Sequence, residues 1–305
     1  MRRRVLLVVL VLMVGVAGNA WARPGKRSSN HVKSRAKSAM TPPLTKAGLP
    51  NIQAASAIIV DLDSGAELYA KNADEIRPIA SVGKLFLALA VRGKGLPLDG
   101  VTDIREDDRL LARGGARSRL LVGKAFTNHD LLRAMLVASD NRACSALGRA
   151  VGWGARELVA AMNAQVRALG LKRTRFEDPT GLNGNTSTAR EIVAALRAAL
   201  ADPVIGAVLA TPQVVVRSVG PQTVEIQYYS TNVPLRTEKR FQILGGKTGY
   251  TDEARYCLAI AARIGGRRIG MVFLGAEGEL TRFADFRRGA TWLAGEPGQA
   301  VVIGK

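Results

Sequence analysis

Three short motifs follow one another along the chain, and together they hold the side chains that a serine acyl-transfer reaction needs. They are Ser-Val-Gly-Lys at 81–84, Ser-Asp-Asn at 139–141 and Lys-Thr-Gly at 247–249. Neither of the first two is specific alone, because Ser-x-x-Lys recurs at 34–37 and Ser-x-Asn recurs at 28–30 and 230–232. Lys-Thr-Gly occurs once. Their order, spacing and structural setting therefore decide the interpretation.

The first motif pairs a nucleophile with a base. Ser81 is expected where an extended segment turns into a helix, so its N–H can point at a developing oxyanion. Lys84 follows one turn later on the same face, within reach of the serine hydroxyl. A free lysine is protonated at pH 7, but burial in this apolar helix would lower its pKa and free a lone pair. A helix-capping serine followed by a surface lysine gives the same pattern.

The second motif is predicted to join two helices. In that loop a Ser139 hydroxyl can relay a proton to a leaving nitrogen, and the Asn141 amide can hold a substrate carbonyl or Lys84. Serine, aspartate and asparagine are also ordinary helix caps, so a purely structural role is the alternative.

The third motif follows two glycines and begins a strand. A cationic Lys247 raises the local positive potential, and Thr248 can hydrogen-bond a substrate carboxylate. Gly249 leaves space for a substrate to pair along the strand, and the Tyr250 N–H is a candidate second oxyanion donor. A glycine-rich turn into a strand is the structural alternative.

The pattern of elements predicts an α+β fold. Strands are expected near both ends of the folded region, at 56–70 and 243–275, and again at 214–229. Between 100 and 200 the pattern is mostly helical, with helices at 130–138, 142–151, 155–169 and 188–201, and a closing helix covers 279–294. The terminal segments would share one antiparallel sheet in a domain at 51–305, with a helical insert at about 85–201. A ligand cleft belongs at their junction.

The N-terminus predicts export to the periplasm. Residues 2–4 are arginines, 5–18 are almost entirely apolar, and Ala20-Trp21-Ala22 is a small-x-small cleavage site. This is the pattern of a cleaved secretory signal peptide at 1–22. A permanent anchor is the alternative, although the apolar run is short for a span, which needs about 20 residues. No C-terminal membrane anchor is expected after residue 295.

The charge is strongly basic, +19 over 305 residues. Residues 23–50 contain seven basic side chains and no acid, which predicts a disordered basic tail. Without residues 1–50 the formal charge is still about +9. Such a tail is attracted to anionic envelope polymers, or is simply a solvated spacer. Nucleic acid is not an expected partner of an exported chain that lacks zinc-finger spacing and a phosphate-binding loop.

The chain has two cysteines, Cys144 and Cys257, and two histidines, His31 and His129. An exported location permits a disulfide, and two buried free thiols are the alternative. With so few ligands of this kind, neither a metal or other cofactor nor a histidine-based triad is expected.

The three motifs together are the set found in class A β-lactamases and penicillin-binding proteins. The chain resembles the low-molecular-mass penicillin-binding proteins of the D-alanyl-D-alanine carboxypeptidase/endopeptidase family. The resemblance covers about 54–275 and includes three further stretches: Lys-Asn-Ala-Asp at 71–74, Asp-Pro-Thr-Gly-Leu at 178–182 and Tyr-Thr at 250–251.

This resemblance implies a DD-peptidase/β-lactamase-like fold. It also implies Ser81 as the acylated nucleophile, Lys84 as its base, and a relay and positioning pair, Ser139 and Asn141. Lys247 and Thr248 would bind the substrate carboxylate. The implied partners are peptidoglycan stem peptides as substrates and β-lactam antibiotics as covalent inhibitors.

Two positions depart from the family pattern. Gly83 stands where the family usually has threonine or serine, and Arg255 replaces a usual glycine and is a candidate substrate contact. The sequence at 139–143, Ser-Asp-Asn-Arg-Ala, is more similar to the endopeptidase branch.

We therefore predict hydrolysis of D-alanyl peptide bonds, with cross-links preferred over terminal D-alanine. A carboxypeptidase is one alternative. A class A-like β-lactamase is another, with Glu177 as the local candidate for activating water. A non-catalytic wall-binding protein is the third, because a shared fold does not fix a function.

Overall fold

The computed structural model describes residues 42–295. Its strands are β1 (Ser56–Asp61), β2 (Glu67–Lys71), β3 (Arg77–Pro78), β4 (Val101–Asp103), β5 (Ala125–Thr127), β6 (Thr186–Ser187), β7 (Gln213–Val219), β8 (Glu225–Tyr229), β9 (Gln242–Thr251), β10 (Arg255–Ile264) and β11 (Arg267–Ala276). Its helices are α1 (Lys84–Gly93), α2 (Glu106–Leu111), α3 (Asn128–Val137), α4 (Arg142–Ala150), α5 (Ala155–Ala168), α6 (Ala189–Ala201), α7 (Pro203–Leu209), α8 (Pro234–Thr237) and α9 (Thr281–Leu293).

Strands from both ends of the described region share one antiparallel sheet, in the order β2-β1-β11-β10-β9. β1 is buried throughout, because it is covered on both faces. Ile58 belongs to the apolar layer that includes α1 and α6, and the next residue, Ile59, belongs to the layer beneath α9. This alternation is what a strand between two layers requires. The predicted α+β class is confirmed.

A second sheet has the order β4-β5-β7-β8. The hairpin of β7 and β8 is predicted from the sequence, whereas β4 and β5 lie in the segment predicted to be mostly helical. β4 and β5 have three residues each, too few for a period-2 pattern to be recognised. The hairpin of β7 and β8 pairs with β5 through β7, and it is not part of the sheet formed by the two ends.

Residues 203–209 form a helix where the sequence predicts that strands resume. The Asp202 carboxylate accepts hydrogen bonds from the N–H groups of Val204 and Ile205, both at 2.9 Å. Pro203 occupies the first turn. An aspartate cap followed by proline is a helix-start signal, and it explains why a helix forms here.

Part of the predicted basic tail is ordered. The Thr45 N–H donates to Leu49 O at 2.8 Å, and the Asn51 N–H donates to Pro43 O at 2.9 Å, which closes a turn over residues 43–51. The predicted signal peptide, residues 23–41 of the tail, and 296–305 lie outside the described residues.

Within residues 42–295 no single helix combines the length and apolar composition of a membrane span. α6 and α7 meet those criteria only when taken together, and they bend by 108° where they join. Cys144 and Cys257 are both buried and free.

Candidate active site

The three motifs meet at one cleft of about 940 Å³, between the edge strand β9 and the segments that precede α4 and follow β3. Six of the eight predicted site residues line it: Ser81, Ser139, Asn141, Thr248, Gly249 and Tyr250. The other two, Lys84 and Lys247, are each 1% exposed and lie beneath its surface.

Ser81 lies where the chain turns from β3 towards α1, within a turn of 3-10 helix at Ala80–Gly83. Ala80 has a left-handed φ of 47°, which costs a non-glycine residue about 1–2 kcal/mol. Such strained residues cluster at active sites. The Ser81 hydroxyl faces Thr180 O at 3.4 Å.

Two glycines from other elements let the chain pack closely around the Ser81 N–H. A Cβ on Gly181 would lie 2.8 Å from Ser81 N, and a Cβ on Gly249 would lie 3.0 Å from it. The second distance gives a different explanation for the presence of glycine at position 249. The sequence predicts that this glycine leaves space for a substrate, whereas the structure shows that it lets β9 approach the serine turn.

The Lys84 amine is in contact with four oxygen atoms. They are Ser81 Oγ at 3.0 Å, Ser139 Oγ at 3.0 Å, Ser139 O at 2.8 Å, and Asn141 Oδ1. The carbonyl and amide oxygens can only accept, so they take two N–H groups. A neutral amine then has its lone pair left for a hydroxyl. Burial lowers the pKa of Lys84, although Cys144, Asp140 and Asp178 oppose the shift, and this favours the neutral base.

The loop between α3 and α4 is held by Asp140, to which sequence reasoning assigned no role. Its carboxylate accepts hydrogen bonds from Ser118 Oγ at 2.6 Å, Tyr228 OH at 2.7 Å and the Arg142 N–H at 3.1 Å. Ser139 beside it has a left-handed φ of 63°. Asp140 thus stabilises the loop conformation in which both Ser139 oxygens contact the lysine.

Lys247 is buried in the middle of β9, so the third motif lies within this strand and does not begin it as the sequence predicts. Its amine donates to Thr248 O at 2.8 Å. Burial and then repulsion from Lys84 lower the pKa of Lys247 well below its ordinary value. Both effects shift Lys247 towards the neutral amine, whereas the sequence predicts a cation. The Thr248 hydroxyl donates to Thr231 Oγ1 at 2.6 Å.

Tyr250 is fixed by its neighbours on the sheet. Its ring packs on Tyr256 with centroids 4.3 Å apart, and its hydroxyl donates to Asp252 at 2.7 Å. β9 is an edge strand, so alternate backbone N–H groups point away from β10. The Tyr250 N–H remains a candidate oxyanion donor on this geometric ground.

Arg282 of α9 is a cleft residue that sequence reasoning missed. Its guanidinium donates to Gly249 O at 2.9 Å and to Cys257 O at 3.4 Å, and it lies over the Tyr256 ring. It is one of several arginines in an amphipathic helix, so no motif marks it.

The second Ser-x-Asn pattern, at 230–232, is also at the site. Ser230 and Thr231 line the cleft, and the Asn232 side chain is 1% exposed. The recurrence of Ser-x-Asn makes the motif less specific in the sequence, whereas the structure brings this copy beside β9, where Thr231 contacts Thr248. The second Ser-x-Asn pattern was therefore the sequence signal for these cleft residues.

The two departures from the family pattern have structural explanations. A Cβ on Gly83 would lie 2.8 Å from Phe176 Cε1, so the phenylalanine fills the space of a larger side chain. Arg255 has a left-handed φ of 55°, the conformation that favours glycine. Its guanidinium pairs with Glu277 at 2.7 Å. The structure therefore does not place it as a substrate contact.

Glu177, the candidate for activating water in a β-lactamase, is not among the residues that line this cleft. Glu177 is half exposed and pairs with Arg175 at 3.2 Å. Its neighbour Asp178 is committed to its own loop, where it accepts hydrogen bonds from Thr180 Oγ1 and the Gly181 N–H, both at 2.7 Å.

The family model described as D-alanyl-D-alanine carboxypeptidase, peptidase S11, matches residues 43–278. The chain belongs to this family. The chain is thus a peptidase S11 member and a serine-type DD-peptidase, as the motifs predicted.

Two relatives of this S11 peptidase are similar over most of their length. The D-alanyl-D-alanine endopeptidase of Pseudomonas aeruginosa is 38% identical over 88% of this chain and 86% of its own. That of Escherichia coli is 34% identical over 87% of this chain and 84% of its own. The Streptomyces K15 DD-transpeptidase structure matches with a TM-score of 0.76 and 26% identity over 80% of this chain and 98% of its own. The resemblance to the endopeptidase branch is confirmed.

Proposed function

We propose that this S11 peptidase hydrolyses D-alanyl peptide bonds of peptidoglycan through an acyl-enzyme on Ser81. The observation that supports this most directly is the position of the Lys84 amine, 3.0 Å from both Ser81 Oγ and Ser139 Oγ. One buried base thereby connects a nucleophile to a second hydroxyl on the leaving-group side.

Acylation follows from these contacts. Lys84 takes the Ser81 proton while Oγ attacks the D-alanyl carbonyl carbon, and the N–H groups of Ser81 and Tyr250 stabilise the oxyanion. Ser139 then gives its proton to the leaving nitrogen and recovers one from Lys84 as the C–N bond breaks. In the second step Lys84 takes a proton from water, hydroxide adds to the ester carbonyl, and Ser81 leaves with that proton.

The substrate carboxylate next to the scissile bond binds on the other wall. Thr248 offers a hydroxyl and Arg282 a guanidinium, and both line the cleft. The buried Lys247 adds positive charge when the carboxylate arrives, because an opposite charge raises the pKa of an amine. Asn141 uses Oδ1 for Lys84, which leaves its Nδ2 for a substrate carbonyl.

We place the enzyme in the periplasm, acting on cross-links, with terminal D-alanine as the alternative substrate. The names of the two relatives support the preference for cross-links, and the N-terminal pattern supports export. The basic tail would associate with anionic envelope polymers. β-Lactams would acylate Ser81 and persist, because Glu177 is not at the cleft to activate water.

The test is digestion of purified cross-linked muropeptides by wild type, Ser81→Ala, and the control Ser64→Ala, whose serine lies in an exposed turn. Loss of dimers with wild type and the control, but not with Ser81→Ala, is the expected result. Shortened pentapeptides alone would mean a carboxypeptidase. No Ser81-dependent product, together with no stable penicillin adduct by mass spectrometry, would overturn the proposal.

A further inference from the structure

Two exposed arginines line the cleft and form no salt bridge within 4 Å among residues 42–295, and the charge of one of them, Arg113, interacts with Glu106 from a longer distance. Arg113 lies in the loop after α2, and Arg236 lies in the last turn of α8. The Arg236 guanidinium sits over the Tyr229 ring, 5.8 Å from its centroid. Most arginines among the described residues form salt bridges with acids. Two arginines that form none and line the cleft are therefore candidates for binding a charged group of the substrate.

Both arginines come from segments of the chain that contact β8. The loop that contains Arg113 continues to Arg119, which donates to Gln227 O of β8 at 2.5 Å and lies over the Tyr228 ring. β8 ends at Tyr229, the residue that contacts Arg236. The loop and the start of the α8 segment are therefore neighbours.

The direction of β9 shows where these segments lie relative to a bound substrate. On the proposed function, the scissile carbonyl lies at the Tyr250 N–H and the leaving-side carboxylate at Thr248. The Thr248 hydroxyl bonds Thr231, which precedes α8. A step from Tyr250 to Thr248 therefore points towards the arginines. In the other direction the strand rises about 3.3 Å per residue, so Asp252 lies at the opposite end, beyond the acyl group.

We propose that Arg113 and Arg236 select substrates whose leaving amine carries a second carboxylate beyond the one next to the scissile bond. This rests on the proposed function and sharpens it. A terminal D-alanine leaves with a single carboxylate, whereas the amine released from a cross-link belongs to a second stem peptide with further carboxylates. The two arginines are then specificity-determining residues for cross-links.

The test uses two synthetic substrates with the same acyl part and the same leaving peptide. In one the second carboxylate is free, and in the other it is a primary amide. Wild type should cleave the free acid with a higher kcat/KM, and 0.5 M salt should reduce that preference because exposed charges are screened. Exposed ion pairs are individually weak, so we expect a preference of about tenfold from both arginines.

Arg113→Ala/Arg236→Ala should remove the preference, while the control Arg156→Ala, an exposed arginine of α5, should keep it. Cleavage of the amidated substrate is the internal measure that a variant is folded. An equal kcat/KM for the two substrates in wild type, or a preference retained by the double variant, would overturn the inference. Failure of the proposed function looks different, since wild type would then cleave neither substrate and form no penicillin adduct.

Discussion

The Asn141 Nδ2 atom lies 2.1 Å from the position that a Cβ atom on Gly115 would occupy. The loop after α2 therefore packs its backbone directly on the amide that also accepts a hydrogen bond from Lys84. No motif includes Gly115, yet any side chain there must displace the loop or the amide.

Gly115→Ala should slow the acylation of Ser81 by penicillin and should have a smaller effect on the free energy of unfolding. A forced shift of about 1 Å in a positioning group costs on the order of 100-fold in rate, so we expect a fall of 10- to 100-fold in the acylation rate constant. Gly93→Ala is the control, since nothing lies within 4 Å of its added Cβ. A variant that acylates at the wild-type rate would show that the loop yields without moving Asn141.

Gly83→Ala should destabilise the protein through its contact with Phe176. Overpacking of this kind costs about 1–3 kcal/mol, measured as the free energy of unfolding in urea. Phe176→Leu should relieve the clash, so the double variant should be more stable than the sum of the single changes predicts. Strict additivity would mean that the phenylalanine does not occupy the missing side chain's space.

The rate of acylation by benzylpenicillin should pass through a maximum with pH. Burial lowers the pKa of Lys84, so the neutral base forms and the rate rises below the ordinary lysine value of 10.5. Burial and repulsion from Lys84 lower the pKa of Lys247 well below its ordinary value, so a rise in pH also removes the Lys247 cation and weakens carboxylate binding. A penicillin methyl ester should lack the alkaline fall. The same profile for acid and ester would contradict this role of Lys247.

Lys247→Met should stabilise the fold while it impairs penicillin acylation. The buried amine donates to a backbone oxygen, and a second cation, Lys84, repels it. An apolar side chain of similar length should therefore raise the free energy of unfolding by about 1–3 kcal/mol at neutral pH. The folded-state pKa lies below the unfolded one, so the unfolded chain binds more protons and wild type gains stability as pH rises towards 10.5. The difference between the two proteins should therefore be larger at pH 6 than at pH 9.5. A less stable variant at pH 6 would refute this.

The elements that sequence predicted well are those with long, regular apolar patterns. The fully buried β1 and the helices α4 to α6 begin and end within about two residues of their expected bounds. β4 and β5 were missed because three residues hold no period, and α7 because its aspartate cap was not weighed.

The motif side chains were predictable because their chemistry is local to a few adjacent residues. Asp140 and Arg282 were not, since their roles depend on Tyr228 and Gly249, which are distant in sequence. The lowered pKa of Lys247 is likewise a consequence of burial, which no motif specifies.

The pairing of β1 with β11 has a consequence for how the enzyme becomes active. β1 is the first strand of the described region and β11 is the last, and they pair directly, with Ser56 opposite Leu274. β1 therefore cannot complete its pairing until β11 has been made. Loop closure over such a separation is slow and follows completion of the chain. A growing chain therefore holds Ser81 and Lys84 before β9 and β11 exist, and the cleft is complete only when the whole domain has been made.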